Sequence, residues 1–247
     1  FEKAMRHTYK AALCAPAFLL REEDASTLSG DALAARLALW LWNSIPDASL
    51  RAAATAGTLR DPAGMRAQVK RMLADPRSDR FVADFLDQWL NLRKIEDTTP
   101  DRDLYPEYTP YLKDCMLAES RAFLRELLTL NGEVRQVIES SFLMLNGELA
   151  ALYGFSGVDG HAMRRVDLPT GTLRGGFITQ ASVLKVTANG TTTSPVVRGA
   201  WFNERMLGAR IPPPPPNVGS VEPDTRGATT IREQLEKHRR DPGCALC

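Results

Sequence analysis

Two cysteines close the sequence, Cys244 and Cys247, in the stretch HRRDPGCALC. Their two-residue spacing lets both thiols reach one small object. If a histidine followed, the set would be Cys-x-x-C-His. In that motif both thiols bond to the vinyl groups of one haem, and the neighbouring imidazole lies over the iron. Other readings stay open from the residues alone. One is an unused or disulfide-bonded pair. Another is half a zinc site, which normally needs four ligands; no second Cys-x-x-C or His pair is present at a suitable spacing, and only His238 lies nearby in sequence. A redox dithiol would normally follow a strand in a βαβ unit, and no such unit is visible.

A second stretch, TANGTTTSPVVRGAW, places the hydroxyls of Thr191, Thr192, Thr193 and Ser194 just before an expected helix start at Pro195. Free N–H groups at a helix start can receive an anion or a haem propionate. Thr192 and Ser194 are therefore candidate contacts, and Arg198, one turn inside the helix, could add a fork of donors. The bland alternative is an ordinary N-capped helix in which Arg198 pairs with an internal carboxylate.

The remaining candidates have structural readings. His7 falls in an amphipathic helix and reads as a surface or boundary residue. His238 lies among Lys237, Arg239 and Arg240 and reads as part of a solvated face. His161, in a glycine-rich loop, could ligate a metal. The acidic loop bearing Glu96, Asp97, Asp101, Asp103 and Glu107 could offer oxygens to calcium, but it lacks EF-hand spacing, and turns and helix caps account for it. Cys14 and Cys115 fall in helical patterns and read as core, with a disulfide between them possible in an oxidising compartment. Ser194 has no elbow glycines and no assignable base, and no phosphate-binding Gly-Lys motif appears. The Trp and Phe stripes read as core packing.

The elements that must position these groups are almost all helical. Asp31, Asp47, Asp61 and Asp75 read as N-caps, the last two followed by proline at the first helical position. Leu33, Leu37, Trp40 and Leu41 recur at helical spacing, as do Phe81, Phe85, Leu86, Trp89 and Leu90. A polar loop with three prolines leads into a long helix from about Tyr111 to Leu130, ended by Asn131-Gly132. Shorter helices are expected at Val134–Glu139 and Asn146–Tyr153, a loop or small hairpin at 161–173, and a helix at Gly176–Lys185. Pro212–Pro216 favour polyproline II, an arm of roughly 15 Å. Thr230 and Glu233 have the spacing of a capping box. Strand signals are scarce, so the expected fold is mainly α, a multi-helix bundle or array of about ten helices with a Gly/Thr/Pro-rich C-terminal third.

The chain has 247 residues, 44% hydrophobic and 25% charged, with a net charge of +1. These are globular values, and no basic field argues for nucleic acid. No apolar run approaches the ~20 residues of a membrane helix. The chain begins with Phe rather than Met, which leads us to expect a processed or excised piece whose missing signal segment says nothing about compartment.

Several stretches carry a family resemblance. ALWLWNSIPDASL, AAATAGTLRDPAGMRAQVKRMLADPRSDRFVADFLDQWLNL and SSFLMLNGELAALYGF resemble the cytochrome-associated domain of unknown function catalogued as family 1592. RGGFITQASVLKVTANGTTTSPVVRGAWFNERMLGARIPPPPPNV and REQLEKHRRDPGCALC are similar to its companion, family 1588. The two occur in tandem in large proteins of planctomycetes and related bacteria. The resemblance implies a helical domain at 1–154 and a mixed loop and helix domain at 155–247. It implies that Cys244 and Cys247 are the thiols of a c-type haem motif whose His lies just beyond Cys247. Haem c follows only if the chain continues into that His; otherwise no cofactor is expected. A periplasmic or cell-surface setting follows from c-type haem, with redox proteins or other domains of the same polypeptide as partners. The expected function is a fragment of an exported c-type-cytochrome-like protein, scaffolding a covalent haem for electron transfer. The alternatives are an oxidoreductase domain acting on an extracellular polymer, and a haem-free structural or interaction module with the cysteines as a staple.

Overall fold

The computed structural model describes residues 1–20 and 28–210, together with residues 230, 232, 233 and 236. Two compact units divide the chain, Phe1–Pro195 and Val196–Cys247. The fold is mainly α, as the sequence predicts. The helices are α1 (Glu2–Cys14), α2 (Pro16–Leu19), α3 (Gly30–Trp42), α4 (Ala48–Thr55), α5 (Pro62–Ala74), α6 (Asp79–Trp89), α7 (Pro110–Leu130), α8 (Gly147–Tyr153), α9 (Ala181–Val186) and α10 (Pro195–Arg205). Short 3-10 turns punctuate them. No helix among the described residues is long and apolar enough to cross a membrane.

The caps show why the helices begin where they do. Asp47 accepts from Leu50 N, Asp61 from Gly64 N and Thr109 from Leu112 N, each supplying an acceptor that the first turn lacks. At α3 the cap is Ser29, not Asp31: Ser29 Oγ accepts from Ala32 N at 3.0 Å, and Asp31 sits in the first turn. Gly30, the first residue of α3, lies so close to α4 that a Cβ there would meet the Ala54 carbonyl at 2.5 Å. Asp75 and Pro76 start a 3-10 turn rather than α6, which begins at Asp79.

The first core gathers α3, α4 and α5 around Ala34, Leu37, Leu41, Trp42, Leu50 and Met72. Trp42, and not Trp40, is the buried indole; its Nε1 donates to Met72 O at 3.0 Å. Arg77 lies 3.5 Å over the Trp42 ring and is held there by the Asp75 carboxylate. That pairing draws the Asp75 carboxyl down to about 2. The second core packs Ile95, Leu112, Cys115, Met116, Leu143, Leu145 and Leu149. Rings of Phe123, Phe142 and Phe177 meet at 5.0–5.1 Å between these elements.

Two strands form the sheet among the described residues. β1 (Phe142–Leu145) pairs antiparallel with β2 (Arg164–Asp167), Phe142 opposite Asp167 and Leu145 opposite Arg164. The expected hairpin within 161–173 is therefore replaced by a strand that returns to β1. All four residues of β1 are buried, so it shows no alternation to read. The expected helix at Gly176–Lys185 is also split: Gln180 is extended between a 3-10 turn at Phe177–Thr179 and α9.

α10 opens at Pro195, the last residue of the first unit, and Gly208 lies just past its end with φ +68°. The capping box forms: Thr230 N donates to Glu233 Oε2 at 3.1 Å, and Glu233 N donates to Thr230 Oγ1 at 3.2 Å.

Candidate functional site

The terminal cysteines Cys244 and Cys247, His238 and the proline run 212–216 lie outside the described residues. Thr192 is exposed, and its N–H and hydroxyl both donate to Asn189 Oδ1, at 2.8 and 3.2 Å. Thr191 does the same with its own N–H and hydroxyl. The threonine loop is thus closed on the Asn189 side chain as an Asx turn. Ser194 is half-buried at the end of the first unit, and Arg198 is half-buried on α10.

The other candidates resolve in structural terms. His161 is exposed, and its Nδ1 lies 2.6 Å from the Tyr111 hydroxyl. Among the described residues no cluster of three or more His, Cys, Asp or Glu side chains could hold a metal. Asp101 Oδ1 accepts from Asp103 N and Leu104 N, and Glu96 pairs with Lys113, so the acidic loop is built of turns and pairs. Cys115 is core, where Asn146 Nδ2 donates to its Sγ at 3.1 Å. Cys14, expected in the core, is instead an exposed free thiol on α1, a helix with no buried residue, and it makes no bond to Cys115.

The strongest concentration of buried polar groups is one that sequence reasoning missed. Glu119 and Ser120, on the inner face of α7, are fully buried. The Tyr153 hydroxyl donates to Glu119 Oε2 at 2.6 Å and accepts from Ala181 N at 2.7 Å. Ser120 Oγ donates to Gln180 Oε1 and lies 2.6 Å from Ser182 Oγ. The Arg174 guanidinium covers the Tyr153 ring at 3.9 Å. One cluster therefore ties α7, the end of α8 and the start of α9. The signal was legible in part, since Glu119 falls in register with Leu112, Cys115, Met116 and Phe123, a charge on an otherwise apolar stripe.

Burial dominates the electrostatics here. It pushes the Glu119 carboxyl up to about 8, against the opposing pull of Tyr153, the Ala181 N–H and Arg174. It also raises the Tyr153 phenol, and the neighbouring Glu119 adds to that. At neutral pH Glu119 is thus mainly the neutral acid. Glu119 Oε1 and Gln180 Nε2 have no hydrogen-bond partner among the described residues.

Two further devices seat the same segment. Lys185 Nζ is buried and donates to Ile95 O, Thr98 O and Thr98 Oγ1 at 3.1, 2.6 and 2.7 Å. Burial lowers its pKa. Gly175 and Gly176 have φ of +149° and +65°, and a Cβ on either would fall 2.4 Å from the backbone of Ser140 or Ile138. The Arg174-Gly175-Gly176 run thus lies directly on the chain that enters β1.

These features define a mainly α-helical protein whose helical body is joined by a buried polar cluster to the segment that follows it. The chain belongs to the family described as PSD4, a protein of unknown function (DUF1592), whose model matches residues 28–155, just over half of its length. In tandem, the model described as PSCyt3, a protein of unknown function (DUF1588), matches residues 174–247. No curated protein and no solved structure matches the chain. The polar cluster spans both matches: Glu119, Ser120 and Tyr153 lie in the first, and Arg174, Gln180 and Ser182 in the second.

Proposed function

We propose that this chain is the scaffold of an exported c-type-cytochrome-like protein, with a covalent haem held at Cys244 and Cys247 for electron transfer. The observation that carries the reading is the Cys-x-x-C pair at the end of the segment matched by the PSCyt3 model. The two thiols would form the thioether tethers, with an imidazole from the next residue as axial ligand. The bound haem would supply one-electron redox chemistry. Thr192 would have to leave Asn189 before it could meet a propionate, so the thiols alone define the proposed attachment. The setting would be periplasmic or cell-surface, and the partners redox proteins or other domains of the same polypeptide.

The test is expression from the native gene in a strain that matures c-type cytochromes. A Soret band that survives acid–acetone extraction, and that disappears in the Cys244→Ala/Cys247→Ala double variant, supports the proposal. A colourless protein, or colour removed by extraction, overturns it.

A further inference from the structure

The aromatic stripe of α6 is not wholly core. Leu86 and Leu90 turn inward and are fully buried, whereas Phe85 is 39% exposed and Trp40, which meets Phe81 from α3, is 61% exposed. Rings of Trp40, Phe81, Phe85 and Trp89 stand in a continuous row, with successive centroids 5.3, 5.5 and 5.4 Å apart. Three of them lie at i, i+4 and i+8, so the row runs along the axis of α6. The groove they line between α3 and α6 holds about 570 Å³. Leu39, Asn43, Asp84 and Gln88 complete its lining.

The composition of this groove selects its ligand. Successive rings already touch, so no ammonium group can sit between them as in an aromatic cage; a ligand must lie across the row. The lining bears a carboxylate and two amide side chains, and the two cations beside it are engaged: Arg93 is 4.0 Å from Asp84, and Arg80 Nη1 donates to Trp42 O at 3.0 Å and lies 3.5 Å from Asn43 O. A phosphate or nucleic acid would meet Asp84 as a like charge. A lipid or an apolar protein surface would strip water from Asn43, Asp84 and Gln88 without replacing their hydrogen bonds. Protein interface cores are depleted of Asp for this reason. A ligand is needed with flat C–H faces for the rings and hydroxyl edges for the amides and carboxylate. The run of rings along α6 further favours an extended chain.

We infer that the α3–α6 groove binds a neutral, extended polysaccharide chain, with Trp40 and Phe85 as stacking platforms and Asn43, Asp84 and Gln88 as hydroxyl partners. This site stands apart from the haem reading, and neither depends on the other.

The experiment titrates the full chain with cellohexaose, mannohexaose and xylohexaose, followed by tryptophan fluorescence, with oligogalacturonate as the anionic comparison. The expected result is saturable binding of at least one neutral hexasaccharide, weakened about tenfold or more in Trp40→Ala, the scale of a lost aromatic face. Asp84→Asn should weaken it less, and with the parent the anionic comparison should stay silent. Circular dichroism and thermal unfolding of Trp40→Ala should match the parent, because Trp40 is largely exposed. No saturable binding to any of the three, or equal binding by Trp40→Ala, overturns the inference. So does sedimentation showing a dimer that Trp40→Ala dissociates, since the groove would then be a self-association surface.

Discussion

The Tyr153 hydroxyl reaches Glu119 Oε2 at 2.6 Å, and Glu119 is wholly shielded from solvent. This contact crosses from the end of α8 to the middle of α7, and the same hydroxyl takes the Ala181 N–H at the head of α9. A carboxyl that is buried neutral makes the fold sensitive to pH in one direction. Its folded pKa, about 8, lies above the ordinary 4.5, so the native state holds the proton that the unfolded chain releases. The stabilisation is complete below about 4.5 and is lost as pH rises toward 8. Glu119→Gln should remove this dependence. Thermal melts between about pH 5 and about pH 9 should show the parent losing up to several kcal/mol while the variant stays nearly flat. Parallel pH profiles would show that Glu119 is ionised in the fold.

Tyr153→Phe keeps the ring and removes the shared hydroxyl. Ala181 N and Glu119 Oε2 then lose their partner in a dry site, and about 1–3 kcal/mol of stability should go with it. Urea unfolding measures this, and a Glu119→Gln/Tyr153→Phe cycle should give a non-additive sum because the groups touch.

Lys185→Met should also destabilise, by about 1–3 kcal/mol, since three acceptors at Ile95 and Thr98 lose their donor. Hydrogen exchange should show the loss first around residues 95–98, at the far end of those bonds. Unchanged exchange there would mean the ammonium is not what holds that turn.

Gly176→Ala places a methyl group against the Ile138 carbonyl and forces a side chain into positive φ. The variant should lose at least about 2 kcal/mol, by strain and displacement together, or fail to accumulate as folded protein. Gly157, at φ +79° with nothing near its Cβ position, is the control: alanine there meets the backbone cost alone and should lose less.

The two described thiols should separate cleanly. Cys14 is exposed and Cys115 buried, so a thiol reagent should label Cys14 at once and Cys115 only after unfolding. Immediate labelling of both would mean that the packing of Cys115 beneath Asn146 does not hold.

How far the sequence could be read depends on which signals were local. Helix caps at Asp47 and Asp61, and the Thr230–Glu233 box, are contacts within four residues and were legible. β1 was not, because a strand buried on both faces has no alternation and its partner lies about twenty residues away. The face of α3 was misread because Trp40 and Trp42 are two positions apart, and helical spacing alone does not say which indole turns inward. The Glu119–Tyr153–Ala181 contact joins residues 28 to 62 positions apart, a separation that no single sequence encodes as a pattern. The row of rings on α6 was visible as a stripe, but its exposure depends on what α3 covers.

The account's central claim is tested most directly by mass spectrometry of the peptide bearing Cys244 and Cys247, taken from protein made by the native gene with c-type maturation. We expect that peptide to carry one haem through two thioether bonds, with histidine as the residue after Cys247. An unmodified peptide, whether as free thiols or as a disulfide, would contradict the claim.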